Sequence, residues 1–90
     1  MSKHIYIVLD VWHADIEGGA TVCGVYKYRV DAEKAVQEHK KEVIDDMCVE
    51  YDHEEWANGE FYGYNDGNND FTELRIDYQE IKEKENGKDN

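Results

Sequence analysis

The chain has 90 residues, of which 40% are hydrophobic and 36% charged, and its formal net charge is −12. This length allows one domain with a modest core and excludes an enzyme with separate cofactor and substrate domains. The hydrophobic fraction argues against disorder, and no apolar run approaches the roughly 20 residues that span a bilayer.

The first part of the chain predicts a β-hairpin. Residues 4–13 alternate between an aliphatic set and a mixed aromatic set, a pattern typical of a strand. Gly18 and Gly19 indicate a turn, since glycine tolerates positive φ at no steric cost. Residues 20–29 then predict a second strand, antiparallel to the first.

A helix is predicted after this hairpin. Asp31 is the expected N-cap, because its carboxylate accepts hydrogen bonds from the free amides of a first helical turn. Beyond it, apolar residues recur at three- and four-residue spacing as far as Tyr51, which predicts about five turns with one apolar stripe. Gly59 ends any continuation of this helix.

Two further strands are predicted, over residues 60–64 and 71–82, with a polar loop over residues 65–70 between them. The expected fold is α+β, in the order β-β-α-β-β, with an antiparallel sheet and one long helix packed on one face. Residues 1–83 form the predicted single domain, and residues 84–90 form an expected flexible polar tail. The expected core is Ile5, Ile7, Leu9, Val11, Val25, Val36, Val43, Leu74 and Ile76.

The start of the chain resembles a group of small proteins of bacteriophages and mobile elements. The resemblance lies in the opening hairpin, the step Gly24-Val25-Tyr26, and a helix that begins Asp31-Ala32-Glu33-Lys34-Ala35. It extends to about Lys40 and does not include the acidic second half. It implies a phage-type origin, with an acidic inhibitor of the anti-CRISPR type as one expectation.

The charge is unevenly distributed along the chain. Residues 42–74, which we call the basic-free segment, contain no Lys or Arg. This arrangement works against helix stability, because acids late in a helix oppose the macrodipole and have no cation four residues on. The acids of this segment are Glu42, Asp45, Asp46, Glu50, Asp52, Glu54, Glu55, Glu60, Asp66, Asp70 and Glu73.

These carboxylates predict a surface that imitates nucleic-acid charge and binds a basic nucleic-acid-handling protein, such as a nuclease or a CRISPR or restriction effector. Aromatic side chains within the segment are expected to anchor the contact. An immunity protein for a basic nuclease toxin fits the same pattern, and a solvated face that only confers solubility is the plainer alternative. The predicted partner-binding residues are Glu42, Asp45, Asp46, Glu50, Asp52, Glu54, Glu55, Trp56, Glu60, Tyr62, Tyr64, Asp66 and Asp70.

A second predicted surface is the sheet face turned away from the helix. It is expected to carry Tyr6, Val8, Trp12, Tyr26 and Tyr28, and to be too apolar to remain in water. A two-fold homodimer, sheet against sheet, is the expected solution. A small-ligand site for a nucleotide-like molecule stacking on Trp12 and Tyr26 is the alternative function.

Catalytic and metal sites are not predicted. Cys23 and Cys48 are expected as free thiols, and the histidines show no close pair of the kind zinc sites use. Asp66, Asn68 and Asp70 imitate the first ligands of a calcium loop, but Phe71 stands where such a loop needs glycine. We therefore expect a protein that is not an enzyme, holds no cofactor or metal, does not itself bind nucleic acid or membrane, and is cytoplasmic.

Overall fold

The computed structural model describes residues 2–46 and 49–82. The Cys48 thiol and the predicted tail over residues 84–90 therefore lie outside the described residues. Within the described part of the chain, no helix is long and apolar enough to cross a membrane.

One antiparallel sheet of five strands forms the framework. In space the strands lie in the order β2-β1-β5-β4-β3, so β2 and β3 are the edges and the long strands β1 and β5 are neighbours. The predicted α+β fold is confirmed, with one strand more than expected. The strands are β1 (Ser2–Ala14), β2 (Glu17–Tyr26), β3 (His53–Ala57), β4 (Glu60–Tyr64) and β5 (Phe71–Lys82).

The unpredicted strand β3 pairs with β4 through a two-residue turn. Asn58 and Gly59 occupy this turn with φ of 55° and 79°. Two central residues with positive φ form the turn that suits the right-handed twist of a hairpin, and Asn-Gly is its preferred sequence. Gly59 therefore connects two strands. The prediction that it ends the continuation of a helix is wrong.

The helix is shorter than predicted. Helix α1 covers Arg29–His39 and continues as a π-helical segment over Lys40–Asp45. Tyr28 precedes α1 in an extended conformation and makes no side-chain cap, so the predicted N-cap at Asp31 is wrong. Asp31 instead lies in the first turn, where its negative charge favours the helix dipole.

Helix α1 covers the opposite face of the sheet from the one expected. Val8 is completely buried beneath it, and Tyr6 and Tyr26 pack against the same core. The predicted core residues Ile5, Ile7, Leu9 and Val11 are only half-buried, on the far side of β1. Register explains this result, because β1 pairs Val8 with Ile76 of β5, and side chains of directly paired residues share a face.

The core consists of Val8, Ala32, Val36, Ile44, Phe61, Leu74 and Ile76. Among the predicted core residues, Val36, Leu74 and Ile76 are confirmed, Val43 is half-buried, and Val25 is 55% exposed. Arg29 links the start of α1 to the β3–β4 turn, since its Nη2 donates to the Asn58 carbonyl at 2.5 Å. This contact holds the helix over the sheet at the end nearest β3.

Candidate functional site

Three carboxylates from separate parts of the chain line a shallow groove. Asp45 belongs to the π-helical segment, Glu50 follows it, and Glu54 lies on the edge strand β3. With Val49 and Tyr51 they surround a cavity of about 390 Å³, which we call the acidic groove. All three carboxylate side chains are exposed, and Glu50 makes no ion pair or hydrogen bond with another described residue.

Lys40 lies beside the acidic groove. Its Nζ is 2.8 Å from Asp45 Oδ1 and 3.7 Å from Glu54 Oε1, and it lies 5.5 Å from the centre of the Phe61 ring. The hydrogen bond to Asp45 raises the pKa of Lys40, and the charge of Glu54 adds to this effect. Lys40 precedes the basic-free segment in sequence, but in the folded protein it lies next to Asp45 and Glu54. Counting charges along the chain therefore overestimates how many acids of this segment lack a cation.

Trp56 provides apolar surface on the same face of β3 as Glu54. It lies two residues from Glu54 on β3, so both side chains are on the helix side of the sheet. Its side chain is 49% exposed and its ring packs at 5.2 Å, tilted, against Phe61. An indole in this position suits the apolar stem of lysine or the planar head of arginine.

The remaining aromatic residues of the predicted site lie on the opposite face of the β3–β4 hairpin. The rings of Tyr62 and Tyr64 stack at 5.0 Å, and the Tyr64 hydroxyl donates to Glu55 at 3.2 Å. The structure therefore divides the predicted partner-binding residues between two faces. Asp45, Glu50 and Glu54 come together and Trp56 shares the face of β3 with Glu54, whereas Glu55, Tyr62 and Tyr64 lie on the opposite face.

On that opposite face, His53 forms an ion pair with Asp66. Its Nε2 is 2.8 Å from the Asp66 carboxylate, and its ring stacks on Tyr64 at 4.8 Å. The hydrogen bond to Asp66 raises the pKa of His53, with further contributions from the charges of Asp52 and Glu55. At acidic pH, protonated His53 therefore adds a positive charge to this side of the hairpin, although the segment contains no Lys or Arg.

Glu60 and Asp70 are less available to a partner than predicted. Glu60 is half-buried and accepts a hydrogen bond from the Ile76 amide at 2.8 Å. Asp70 is also half-buried and accepts from the Asp15 amide at 2.8 Å, which ties the β1–β2 turn to the loop before β5. Both carboxylates stabilise backbone groups that would otherwise lack a partner.

Glu42 and Asp46 are exposed, and their carboxylates have neither a cation nor a hydrogen-bond partner among the described residues. Both lie close in sequence to Asp45. Together with Glu50 they give this end of the molecule negative charge that the chain itself does not neutralise. Asp52 differs, because its carboxylate accepts from the Asp66 amide at 3.1 Å.

A second cavity, of about 310 Å³, lies where the helix side of β1 and β5 meets the π-helical segment. Trp12, Ile44, Tyr51 and Thr72 are among its mainly apolar lining residues, and we call it the Trp12 cavity. Asp10 contributes a carboxylate whose Oδ2 pairs with His39 Nε2 at 2.9 Å. Its Oδ1 is buried without a hydrogen-bond partner among the described residues. In the sequence, the only indication of this site is Asp10 itself, an acidic residue within the otherwise largely apolar strand β1.

Cys23 lies next to this pair but is not set up as a nucleophile. Its Sγ is 3.7 Å from His39 Nε2, the same nitrogen that contacts Asp10. Burial raises the pKa of the Cys23 thiol, and the negative charge of Asp10 raises it further. The reactive thiolate form is therefore disfavoured at neutral pH.

Comparison with known proteins adds no relative. No family model matches the chain, and no curated protein or solved structure matches it.

Proposed function

We propose that the chain is a phage-type inhibitor that binds a basic nucleic-acid-handling protein by offering carboxylates in place of nucleic-acid phosphates. The acidic groove is the observation that carries this proposal. Carboxylates at Asp45, Glu50 and Glu54 surround a depression large enough to receive a Lys or Arg side chain. Trp56 lies on the same side of β3 and supplies the aromatic anchor that protein interfaces favour.

The geometry favours binding over a purely solubilising role. Acidic residues that serve only solubility do not have to line a common cavity, as Asp45, Glu50 and Glu54 do. They also do not need a half-exposed indole on the same face, as Trp56 provides here. Proteins that bind nucleic acid use Lys and Arg to neutralise phosphates, so an acidic groove is complementary to them. The resemblance of the N-terminal residues to phage proteins concerns origin and implies no activity, and an immunity protein of a basic nuclease toxin would use the same surface.

A matched pair of triple variants tests this proposal. One replaces the groove carboxylates by Asp45→Asn, Glu50→Gln and Glu54→Gln. The other makes Asp15→Asn, Glu17→Gln and Glu38→Gln at exposed positions elsewhere. Each removes three negative charges, so the change in long-range attraction is the same. Binding is measured by fluorescence anisotropy with a labelled arginine-rich peptide, and then with a purified basic nuclease.

The groove triple is expected to weaken binding by roughly 100-fold, because unpairing desolvated charges costs about 2–5 kcal/mol, and the control triple by only a few-fold. Duplex DNA should compete with the protein for the nuclease, and salt should weaken the complex steeply. Equal losses in the two triples would show that acidity acts only through the overall field. Circular dichroism confirms that both variants fold.

The Trp12 cavity supports a second candidate function, binding of a small molecule. The Asp10 carboxylate is its acidic group and Trp12 its largest aromatic surface. An apolar pocket with one buried acceptor suits a small aromatic amine better than a nucleotide, whose phosphates carry the same charge as Asp10. The predicted stacking pair is separated, since Tyr26 packs against the core and does not line the cavity.

Tryptamine is a suitable probe, with adenosine monophosphate for comparison. Titration followed by NMR should shift the Trp12 indole signal with tryptamine, and Asp10→Asn should abolish this shift. High salt should alter binding little, since the pair would be buried. Shifts spread over the acidic groove, and retained in Asp10→Asn, would reject the cavity as the site.

A further inference from the structure

The sheet face opposite α1 carries a continuous aliphatic surface on β1 and β2. Ile7 pairs with Val25 and Leu9 with Val22, so these side chains point to one side. Val22 is 58% and Val25 55% exposed. The two described elements outside the sheet, α1 and the π-helical segment, pack on the other side. We call this surface the aliphatic face; it consists of Ile5, Ile7, Leu9, Val11, Val22 and Val25.

The aliphatic face is electrically balanced in a strongly acidic chain. On this side of β1 and β5 the charged residues are Lys3, Glu73, Arg75 and Asp77, two of each sign. Arg75 and Asp77 form an ion pair at 3.2 Å. From Gly18 to Tyr26, the edge strand β2 has no charged side chain. This region is therefore the part of the sheet where two copies meet without bringing their excess acids together.

The size of the face fits a modest dimer. Strands of nine residues extend about 30 Å, and the two strands β2 and β1 span about 10 Å, so the footprint on each copy is roughly 300 Å². Two such footprints amount to roughly 600 Å² before side-chain relief is added, which corresponds to a weak dimer at the low end of the sizes seen for protein interfaces.

We propose that a second copy of this chain covers the aliphatic face, with a two-fold axis parallel to β1 and β2 that passes between these two strands, midway between the two sheets. In this arrangement β1 of each protomer packs over β2 of its partner, so that Val25 meets the partner's Ile7 and Val22 the partner's Leu9. The β3 and β4 ends then project in opposite directions, so the acidic grooves are far apart and both remain open. A basic partner would select the acidic end instead, because the aliphatic face offers it no excess of negative charge.

Substitution of one exposed valine tests the dimer. Val25→Lys places a charge on the aliphatic face, and Val30→Lys places the same charge on α1, where Val30 is 64% exposed. Both residues are exposed in the single chain, so folding is preserved, and lysine does not increase the negative charge. Sedimentation velocity over a concentration series should give the unmodified protein twice its chain mass of 10.6 kDa.

Val25→Lys is expected to raise the dissociation constant of the dimer roughly 100-fold, and Val30→Lys to leave it unchanged. Val22→Lys should repeat the effect of Val25→Lys. High salt should strengthen the dimer, because it screens the repulsion between two acidic protomers. A single-chain mass at every accessible concentration, or the same dissociation constant for Val25→Lys and Val30→Lys, would overturn the proposal.

Hydrogen exchange separates this dimer from the other symmetric possibility, pairing of two β2 edges. Edge pairing would protect the outward amides of β2 in a concentration-dependent way, whereas face packing leaves them exchanging. Protection of these amides would also overturn the proposed arrangement. The groove triple described above should not weaken the dimer, since it removes only mutual repulsion, so failure of the proposed function and failure of the dimer are separate results.

Discussion

Gly59 has a backbone conformation that other residues rarely adopt. Its φ is +79°, and an added Cβ would lie 2.5 Å from the Glu33 side chain. Gly59→Ala should therefore lower the free energy of unfolding by about 1–3 kcal/mol, measured by urea denaturation. Gly67→Ala is the control, since an added Cβ there meets nothing within 4 Å. Equal losses would show that the turn is not constrained.

The pair of His53 and Asp66 makes a pH-dependent contribution to stability. Because the pKa of His53 is raised in the folded protein, the contact stabilises the fold fully below the unfolded pKa. That stabilisation is lost as the pH rises through the folded pKa. Asp66→Asn should lower the His53 pKa toward its ordinary value of 6.5, as followed by NMR titration.

Asp31→Asn on α1 is the control for that titration, because it removes an equal charge outside the hairpin. If both variants changed the His53 pKa equally, the general negative field would be its cause, and the hydrogen bond to Asp66 would not.

At the scale of elements, the β3–β4 hairpin has one core side and one solvent side. Phe61 is completely buried, whereas its neighbour Tyr62 is 38% exposed on the other face. Phe61→Ala should cost about 3–5 kcal/mol of stability in thermal or urea unfolding, and Tyr62→Ala less than about 1 kcal/mol. A reversal of these values would mean that β4 pairs in the alternative register.

Periodicity predicted the strand β1 but not the face that the helix covers. Both sides of β1 are apolar, with Ile7 and Leu9 on one and Val8 on the other, so alternation alone does not distinguish them. The choice depends on β5, whose polar side carries Arg75 and Asp77 and whose apolar side carries Leu74 and Ile76. Pairing of Val8 with Ile76 fixes the result, and such a long-range register cannot be read from either strand alone.

The missed strand β3 had a local signal. Asn58-Gly59 between two aromatic-containing segments is a strong hairpin indicator, but the acidic residues before it resembled a linker. The acids of the groove were predicted individually, because they stand in the basic-free segment. Their convergence was not predicted, because it depends on how the π-helical segment and β3 approach each other in space.

For the whole molecule, excess negative charge should make stability depend on salt. The chain has 22 acidic and 10 basic residues, so repulsion between carboxylates exceeds the attraction of its ion pairs. Sodium chloride should therefore raise the melting temperature, measured by differential scanning calorimetry at low protein concentration. A melting temperature that falls with salt would show that ion pairs such as that of Lys40 dominate.

The position of Lys40 makes occupation of the acidic groove an exchange reaction. A cation that binds Asp45 or Glu54 competes with the ammonium group of Lys40, which already contacts both carboxylates. A weakly basic surface therefore gains little binding free energy in the groove, because its cations only replace Lys40. A surface with many arginines forms more ion pairs than the ones that Lys40 loses. Lys40→Gln should bind an arginine-rich peptide more tightly, and should lose discrimination against peptides with few cations. Under the proposed function, the protein's own lysine would set the threshold of positive charge that a partner must exceed.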